Sequence, residues 1–385
     1  TGARRGAMMA TLRCDHPDIE HFIRAKQDAT QLRHFNLSVL VTDDFMRAVR
    51  ADREWLLVFP RHARDTQADT EVVERAWSGS ATPQVCRVYR RLPARQLWDA
   101  IMRATYDYAE PGVIFIDRVN RMNNLWYAEH ISATNPCGEL PLPPYGACNL
   151  GSINLTRFVR HAFTPDARLD LEAIAATAAV ATRMLDNVTD VSRFPLEKQA
   201  RMARGARRIG LGMTGLADSL IMLGLRYGSA PSLECASAAM RAICHSAYRT
   251  SSALAREKGP FPQFVRDKYL HGEFIRQLPP ALCEDIQCHG MRNSHVTAIA
   301  PTGTISLLAN NVSSGLEPVF RFVYQRRMRD AGGDLRLHPV EDYAHALFRQ
   351  QYGAAELPPA FVSVADIPPA AHLAMQAALQ PYVDS

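Results

Sequence analysis

The sequence lacks several features that would each have placed it in a well-known class of proteins. None of its eight cysteines forms a Cys-x-x-Cys pair, and no histidine spacing completes a zinc site, so no metal site is predicted. No apolar run is long enough to cross a membrane, because the most apolar helical stretch, 171–185, contains Glu172 and Arg183. The net charge of +5 is modest and forms no basic stripe, so nucleic acid is not expected as a partner.

The composition is that of an ordinary globular protein with a large buried core. Hydrophobic residues make up 47% of the 385 positions, which is enough for one large domain or two ordinary ones. The first residues, 1–5, contain neither an initiator methionine nor an apolar leader, and we expect a cytoplasmic protein whose sequence is cut at both ends. In a reducing cytosol most of the cysteines are expected to be free thiols in the core.

Segments typical of strands and helices alternate along the chain, which favours an α/β fold with parallel strands and helices outside them. Asp43 is the expected N-cap of the first clear helix, and prolines at 339 and 369 are expected in the first turns of two late helices. The predicted strands are 35–41, 113–116 and 295–300, and the other predicted helices are 97–106, 169–188, 216–223, 231–257, 339–351 and 369–380. We predict a single domain over residues 1–385.

The most informative segment is a loop in which an amide, a thiol and a carboxylate alternate. It reads Asn135-Pro136-Cys137-Gly138-Glu139, and its proline and glycine exclude a regular helix or a central strand. In an extended loop, alternate positions share one face, so Asn135, Cys137 and Glu139 are expected to point at one ligand. A plain turn with a buried cysteine and two solvated polar groups explains the spacing equally well.

A second segment has the composition of a phosphate-binding loop. Pro301-Thr302-Gly303-Thr304-Ile305 follows the predicted strand 295–300, and its small residues leave main-chain N–H groups open to an anion. It is not a Walker loop, because no lysine follows the glycine. An ordinary strand-to-helix turn is the alternative.

A third segment, Gly210-Leu211-Gly212-Met213-Thr214-Gly215, matches the dinucleotide-binding pattern G-x-G-x-x-G. The pattern requires a buried apolar strand before it, but residues 204–208 are rich in arginine. We therefore expect these glycines to serve close helix packing. An NAD-dependent dehydrogenase remains the alternative enzyme class that this motif would support.

The two long motifs together resemble one enzyme family. The run from Asn135 to Leu155 resembles the active-site finger of ribonucleotide reductase large chains, and Ala300 to Phe320 resembles their phosphate-binding segment. Further similar segments are Gly2 to Phe22, Phe35 to Met46 and Arg207 to Asp218, so the resemblance covers most of the chain. The two motifs are most similar to those of the adenosylcobalamin-dependent branch, which reduces ribonucleoside diphosphates.

The resemblance assigns roles to the residues of the finger. It implies that Cys137 forms the thiyl radical that takes the ribose 3′ hydrogen, that Glu139 accepts the 3′-hydroxyl proton, and that Asn135 hydrogen-bonds the ribose hydroxyls. It also implies that Cys148 is one member of the dithiol that becomes a disulfide, with a partner that lies upstream of Thr1.

The resemblance also assigns binding segments. Residues 135–139 and 301–305 are implied to contact the substrate, and Lys26 to Arg33 lies where the family has its specificity loop.

The resemblance further implies a fold and a set of partners. The family fold is an α/β barrel of two antiparallel half-barrels with the finger loop at its centre, incomplete in this chain. The implied ligands are adenosylcobalamin, a ribonucleoside diphosphate, a nucleotide effector and an external dithiol such as thioredoxin, and a homodimer is expected. A non-catalytic nucleotide-binding fragment is the alternative from another functional class.

Overall fold

The structure is a computed structural model that describes residues 6–28, 30–61, 71–77, 80, 82–329 and 334–384. The chain divides into two compact units, Thr1–Gly146 and Ala147–Ser385, and each is described by itself. No helix in these described ranges is both long and apolar enough to span a membrane.

The first unit contains a parallel sheet, an antiparallel sheet and a short hairpin. Its strands are β1 (Met8–Arg13), β2 (Phe35–Val41), β3 (Glu54–Pro60), β4 (Val72–Arg75), β5 (Gln84–Pro93), β6 (Gly112–Phe115), β7 (Ala133–Thr134) and β8 (Pro141–Leu142). Its helices are α1 (Ile19–Arg24), α2 (Asp43–Arg50), α3 (Ala94–Tyr108) and α4 (Ile116–Met122).

The parallel sheet has the order β1-β2-β6, and helices connect its strands as the alternation predicted. Val39 and Val41 of β2 join Phe45, Leu97 and Ile101 in one buried cluster between the strands and helices α2 and α3. The strands predicted at 35–41 and 113–116 and the helix at 97–106 are thereby confirmed. The N-cap of α2 is Thr42 rather than Asp43, because the Thr42 hydroxyl accepts the Phe45 N–H at 3.2 Å.

The antiparallel sheet, of order β3-β5-β4, was not predicted from the sequence. Arginines occupy several positions of β5, and only Cys86 and Leu92 of this strand are buried. A strand with one sparse apolar face has a weak alternation signal, which is the reason that the sequence did not reveal it.

The second unit is richer in helices. Its strands are β9 (Asn149–Asn154), β10 (Val159–Arg160), β11 (Arg168–Leu169), β12 (Ile209–Thr214), β13 (Val323–Arg329) and β14 (Leu335–Glu341). Its helices are α5 (Leu171–Val191), α6 (Glu197–Ala206), α7 (Leu216–Met222), α8 (Ala230–Lys258), α9 (Arg266–Leu270), α10 (Pro280–His289), α11 (Ile305–Leu308), α12 (Tyr343–Tyr352) and α13 (Pro369–Leu379).

The centre of the second unit is the parallel pair β9 and β12, whose register runs from Asn149 opposite Ile209 to Asn154 opposite Thr214. Helices α5 and α8 pack against each other and against β12. The predicted helices at 169–188, 216–223, 231–257 and 369–380 correspond to α5, α7, α8 and α13. The mixture of α and β structure is therefore confirmed in both units.

Two predicted elements of the second unit need correction. Residues 295–300 form no strand of their own, although Thr297 makes an isolated parallel bridge to Leu211 of β12. Pro339 does not begin a helix, because it lies in β14 opposite Gln325, and α12 begins later, after its N-cap Asp342. Pro369 does occupy the first turn of α13, as expected.

Residues 210–214 of the glycine motif lie inside β12 instead of following a strand, and Gly215 is the N-cap of α7, so the motif cannot form the dinucleotide-binding turn. A Cβ at Gly212 would stand 2.2 Å from the Ala298 carbonyl oxygen. The expectation that these glycines serve helix packing was wrong for Gly210 and Gly212, because they admit the neighbouring segment at Ala298. The dehydrogenase alternative loses its structural basis.

Candidate active site and phosphate loop

The predicted active-site residues 135–139 belong to the first unit, in a tight turn that the hairpin β7-β8 closes. Ala133 pairs with Leu142 and Thr134 with Pro141, and the Asn135 N–H then donates to the Leu140 carbonyl at 3.1 Å. We call residues 135–140 the thiol turn. Its conformation is not the extended one that we expected, because the Gly138 N–H folds back onto the Asn135 carbonyl at 3.0 Å.

The thiol turn brings Asn135 and Glu139 into direct contact. The amide Nδ2 of Asn135 donates to Glu139 Oε2 at 2.7 Å, while Asn135 Oδ1 accepts the Leu140 N–H at 2.9 Å. Both polar ends of the amide are therefore used, which fixes its orientation. Gly138 has φ +90°, and a Cβ added there would meet no atom within 4 Å, so this bend requires glycine for its backbone conformation rather than for space.

Cys137 lies at the tip of the thiol turn and is exposed. The preceding residue is held from outside the turn, because Asn36 Nδ2 at the start of β2 donates to the Pro136 carbonyl at 2.6 Å. Sequence analysis missed Asn36. Its position at the entrance of a strand suggested no role, and only the fold brings it to the turn.

Cys148 belongs to the second unit and is half-buried immediately before β9. Its thiol lies 3.7 Å from the Asn149 carbonyl oxygen, and a Cβ at Gly210 would stand 3.4 Å from its Sγ. The absence of a side chain at Gly210 thus leaves room beside this thiol. The pairing of Cys148 with a second cysteine stays a prediction.

The predicted phosphate loop, residues 301–305, also belongs to the second unit. Gly303, Thr304 and Ile305 are exposed, whereas Thr302 is buried. Within the part of the chain that the structure describes, the main-chain N–H groups of Gly303 and Thr304 donate to no protein acceptor. A Cβ at Gly303 would meet no atom within 4 Å. These two N–H groups therefore have no protein acceptor among the described residues, and the binding of an anion by this loop stays a prediction.

A cavity of about 140 Å³ lies beside this loop. Gly303 and Ser306 line it together with Arg321 and Arg326. Glu317 also lines the cavity, and burial raises the pKa of its carboxyl group. The two arginines add positive charge near the open N–H groups, which suits a phosphorylated ligand.

The predicted specificity segment, Lys26 to Arg33, is described except for Ala29, which lies outside the described residues. Its first residue is anchored, because Lys26 Nζ donates to the Phe35 carbonyl at 2.6 Å and forms an ion pair of 2.9 Å with Glu110. Asp28 accepts from both the hydroxyl and the N–H of Thr30, which lowers the pKa of its carboxyl group. The resembling segment at Gly2 to Phe22 likewise begins in residues 2–5, which are not described.

Comparison with known proteins decides the family. The family described as "Ribonucleotide reductase, barrel domain" matches residues 1–385. The chain belongs to the ribonucleotide reductase family. The resemblance inferred from the finger and phosphate segments is thereby confirmed.

Curated relatives of this ribonucleotide reductase chain agree with that assignment. A protein of Mycobacterium tuberculosis named "Vitamin B12-dependent ribonucleoside-diphosphate reductase" is 38% identical over 402 residues, which covers 100% of this chain and 52% of the relative. A protein of the same name from Thermoplasma acidophilum is 36% identical and is covered to 47%. The "Ribonucleoside-diphosphate reductase subunit alpha" of Synechocystis is 30% identical over 84% of this chain and 45% of the relative. The chain spans about half the length of the curated relatives that it matches.

Proposed function

We propose that this chain carries the catalytic barrel of a ribonucleoside-diphosphate reductase, with Cys137 as the residue that forms the thiyl radical. The observation that carries the proposal is the thiol turn, which places Cys137 at an exposed tip between an amide and a carboxylate in contact with each other. The family and the names of the relatives support the reaction class. We also propose the family's closed barrel of two half-barrels around the finger.

The proposed reaction begins when the Cys137 thiyl radical takes the ribose 3′ hydrogen, forming an S–H bond and leaving the unpaired electron on carbon. Glu139 accepts the 3′-hydroxyl proton, and Asn135 orients the sugar hydroxyls without adding charge. The 2′ hydroxyl then leaves as water. A dithiol that includes Cys148 supplies two electrons and two protons, one proton to the departing water and one to the 2′ carbon, and becomes a disulfide. The 3′ hydrogen then returns from Cys137, and Glu139 returns its proton to the 3′ oxygen.

The relatives' names support adenosylcobalamin as the cofactor. When bound, it would supply an acceptor for the hydrogen atom of the Cys137 thiol. The exposed position of Cys137 fits this role, because an external acceptor needs access to the sulfur.

We further propose a cytoplasmic enzyme that binds a ribonucleoside diphosphate at residues 301–305 and a nucleotide effector through residues 26–33. Thioredoxin or another external dithiol would regenerate the reduced enzyme, and a homodimer is the proposed assembly. The resemblance of the segments 26–33, 135–155 and 300–320 to the family supports these assignments, and the open N–H groups of Gly303 and Thr304 support the phosphate site.

The test uses the full-length protein, assayed anaerobically with adenosylcobalamin, a dithiol and no second subunit. We expect deoxynucleotide formation by the wild type and none by Cys137→Ser, with nucleotide affinity retained in the variant. Substantial turnover by the Cys137→Ser variant would refute the radical assignment. Activity that appears only with a metal-loaded partner protein would refute cobalamin and leave Cys137 in place. Nucleotide binding with no turnover under either condition would favour a non-catalytic fragment.

A further inference from the structure

Thr302 adopts a backbone conformation that is unusual for its residue type. Its φ is +56°, in the left-handed region, and a β-branched residue rarely occupies that region. The residue is nevertheless buried, and it immediately precedes the exposed Gly303. Strain of this kind persists only where the surrounding contacts impose it.

The Thr302 hydroxyl is held by two partners on different segments. It lies 2.8 Å from the Thr214 hydroxyl at the end of β12, and it accepts the Gly315 N–H at 2.9 Å. Thr214 donates its own proton to the Ser313 carbonyl at 3.0 Å. With the Thr214 proton on that carbonyl, the Thr302 hydroxyl is the donor to Thr214.

This hydrogen-bond network extends to two helices. The Ser313 N–H donates to Asp218 Oδ2 of α7 at 2.5 Å, and the other oxygen of Asp218 accepts the Ala344 N–H of α12 at 2.9 Å. Asp342, the N-cap of α12, shares a hydrogen bond with Asp218. The segment 313–315, which hydrogen-bonds to the Thr302 side chain, is thus connected to α7 and α12 through buried groups.

We propose that Thr214, through its buried hydroxyl, is a positioning residue for the phosphate loop, and that it fixes the left-handed conformation of Thr302, which immediately precedes the exposed residues Gly303 and Thr304. The inference rests on the proposed function, since it assumes that residues 301–305 bind the substrate phosphates. It also explains why this threonine stands near the end of the glycine motif 210–215.

The experiment measures the affinity of the full-length protein for CDP and for inorganic pyrophosphate in Thr214→Val, which keeps the side-chain shape and removes the hydroxyl. We expect both affinities to fall by about tenfold or more, because a misplaced loop loses hydrogen bonds to the phosphates. KM should rise by a similar factor, with kcat reduced much less. Thr214→Ser retains the hydroxyl and should restore affinity to within about twofold of wild type.

Thr182→Val is the matched control, because Thr182 is an equally buried threonine whose hydroxyl donates within α5, to Ala178 at 2.8 Å. If Thr214→Val weakens pyrophosphate binding no more than Thr182→Val does, the inference is wrong. A loss of kcat with unchanged KM would also overturn it. If Thr214→Val fails to fold, Thr214→Ala compared with Thr214→Ser supplies the same comparison, because these two side chains differ only by the hydroxyl.

Failure of this inference is distinguishable from failure of the proposed phosphate site. Gly303→Val alters the loop itself and not its support. If Gly303→Val weakens pyrophosphate binding and Thr214→Val does not, only the positioning role of Thr214 is refuted. If neither variant changes the affinity for pyrophosphate, residues 301–305 are not the phosphate site, and both proposals are refuted.

Discussion

The side-chain amide of Asn135 donates a 2.7 Å hydrogen bond to the carboxylate of Glu139, across the tip of the turn that presents Cys137. The two residues are four apart in sequence, and the turn brings them together because the Gly138 N–H bonds back to the Asn135 carbonyl. The proposed general base therefore lies in the same tight turn as the exposed thiol. Its orientation depends on an amide whose oxygen is already held by Leu140.

Replacing Glu139 by glutamine should abolish the proposed base and keep the turn. The glutamine carbonyl can still accept from Asn135, so we expect an unchanged fold and near-normal nucleotide affinity. Loss of general base catalysis should lower kcat by roughly a hundredfold or more. Steady-state kinetics and circular dichroism of the full-length variant check both points. A variant that retains more than about a tenth of wild-type kcat would show that Glu139 is not the base.

Replacing Cys148 by serine should separate hydrogen abstraction from reduction. The half-buried site tolerates the smaller oxygen, so the variant should fold. We expect exchange of the substrate 3′ hydrogen to continue and multiple turnovers to stop, because the dithiol has lost one member. Isotope exchange and product formation are measured on the same sample. Normal turnover with a dithiol reductant would show that Cys148 has only a structural role.

Replacing Gly303 by valine should weaken phosphate binding at the exposed loop. A Cβ has space there in the protein alone, so stability should change little. A side chain over the N–H groups would remove at least one charge-assisted hydrogen bond, worth about 1.5–3 kcal/mol, or roughly ten- to a hundredfold in affinity. Calorimetric titration with CDP measures the effect. Gly6→Val, at a glycine with equally open surroundings but outside the loop, is the control for a generic loss of glycine.

The Asp218 and Asp342 pair should make stability depend on pH. Burial, followed by the charge of Asp218, raises the pKa of Asp342 from 3.8 to about 9. Since the folded state holds the proton more tightly than the unfolded chain, the stability that it contributes is complete below about pH 4. It is lost progressively as pH rises toward about 9.

Asp342→Asn keeps the N-cap of α12, whose acceptor oxygen receives the His345 N–H, and removes this titration. We expect the free energy of unfolding of the variant to fall less than that of wild type between about pH 5 and about pH 9. Urea unfolding at several pH values measures both slopes. Parallel slopes for the two proteins would show that the pair does not share a proton.

The sequence by itself indicated the candidate site residues and most of the helices. Local composition singled out Cys137, Glu139 and residues 301–305, because proline and glycine restrict the backbone wherever they occur, and the resemblance to the family implied their roles. The long helices α5 and α8 and the buried strand β2 were predicted because the spacing of apolar residues along the sequence follows the period of each element.

Tertiary structure alone decided how those residues are supported. The strand β12 carries glycines that are poor strand formers, and Gly212 is required there because a Cβ would collide with the Ala298 backbone. The left-handed Thr302 follows from a hydroxyl 88 residues earlier in the chain, on Thr214, and no local pattern encodes such a partner. Asn36 reaches Pro136 across 100 residues for the same reason. Hydrogen bonds between distant segments depend on which elements pack together, and that packing is a property of the whole fold.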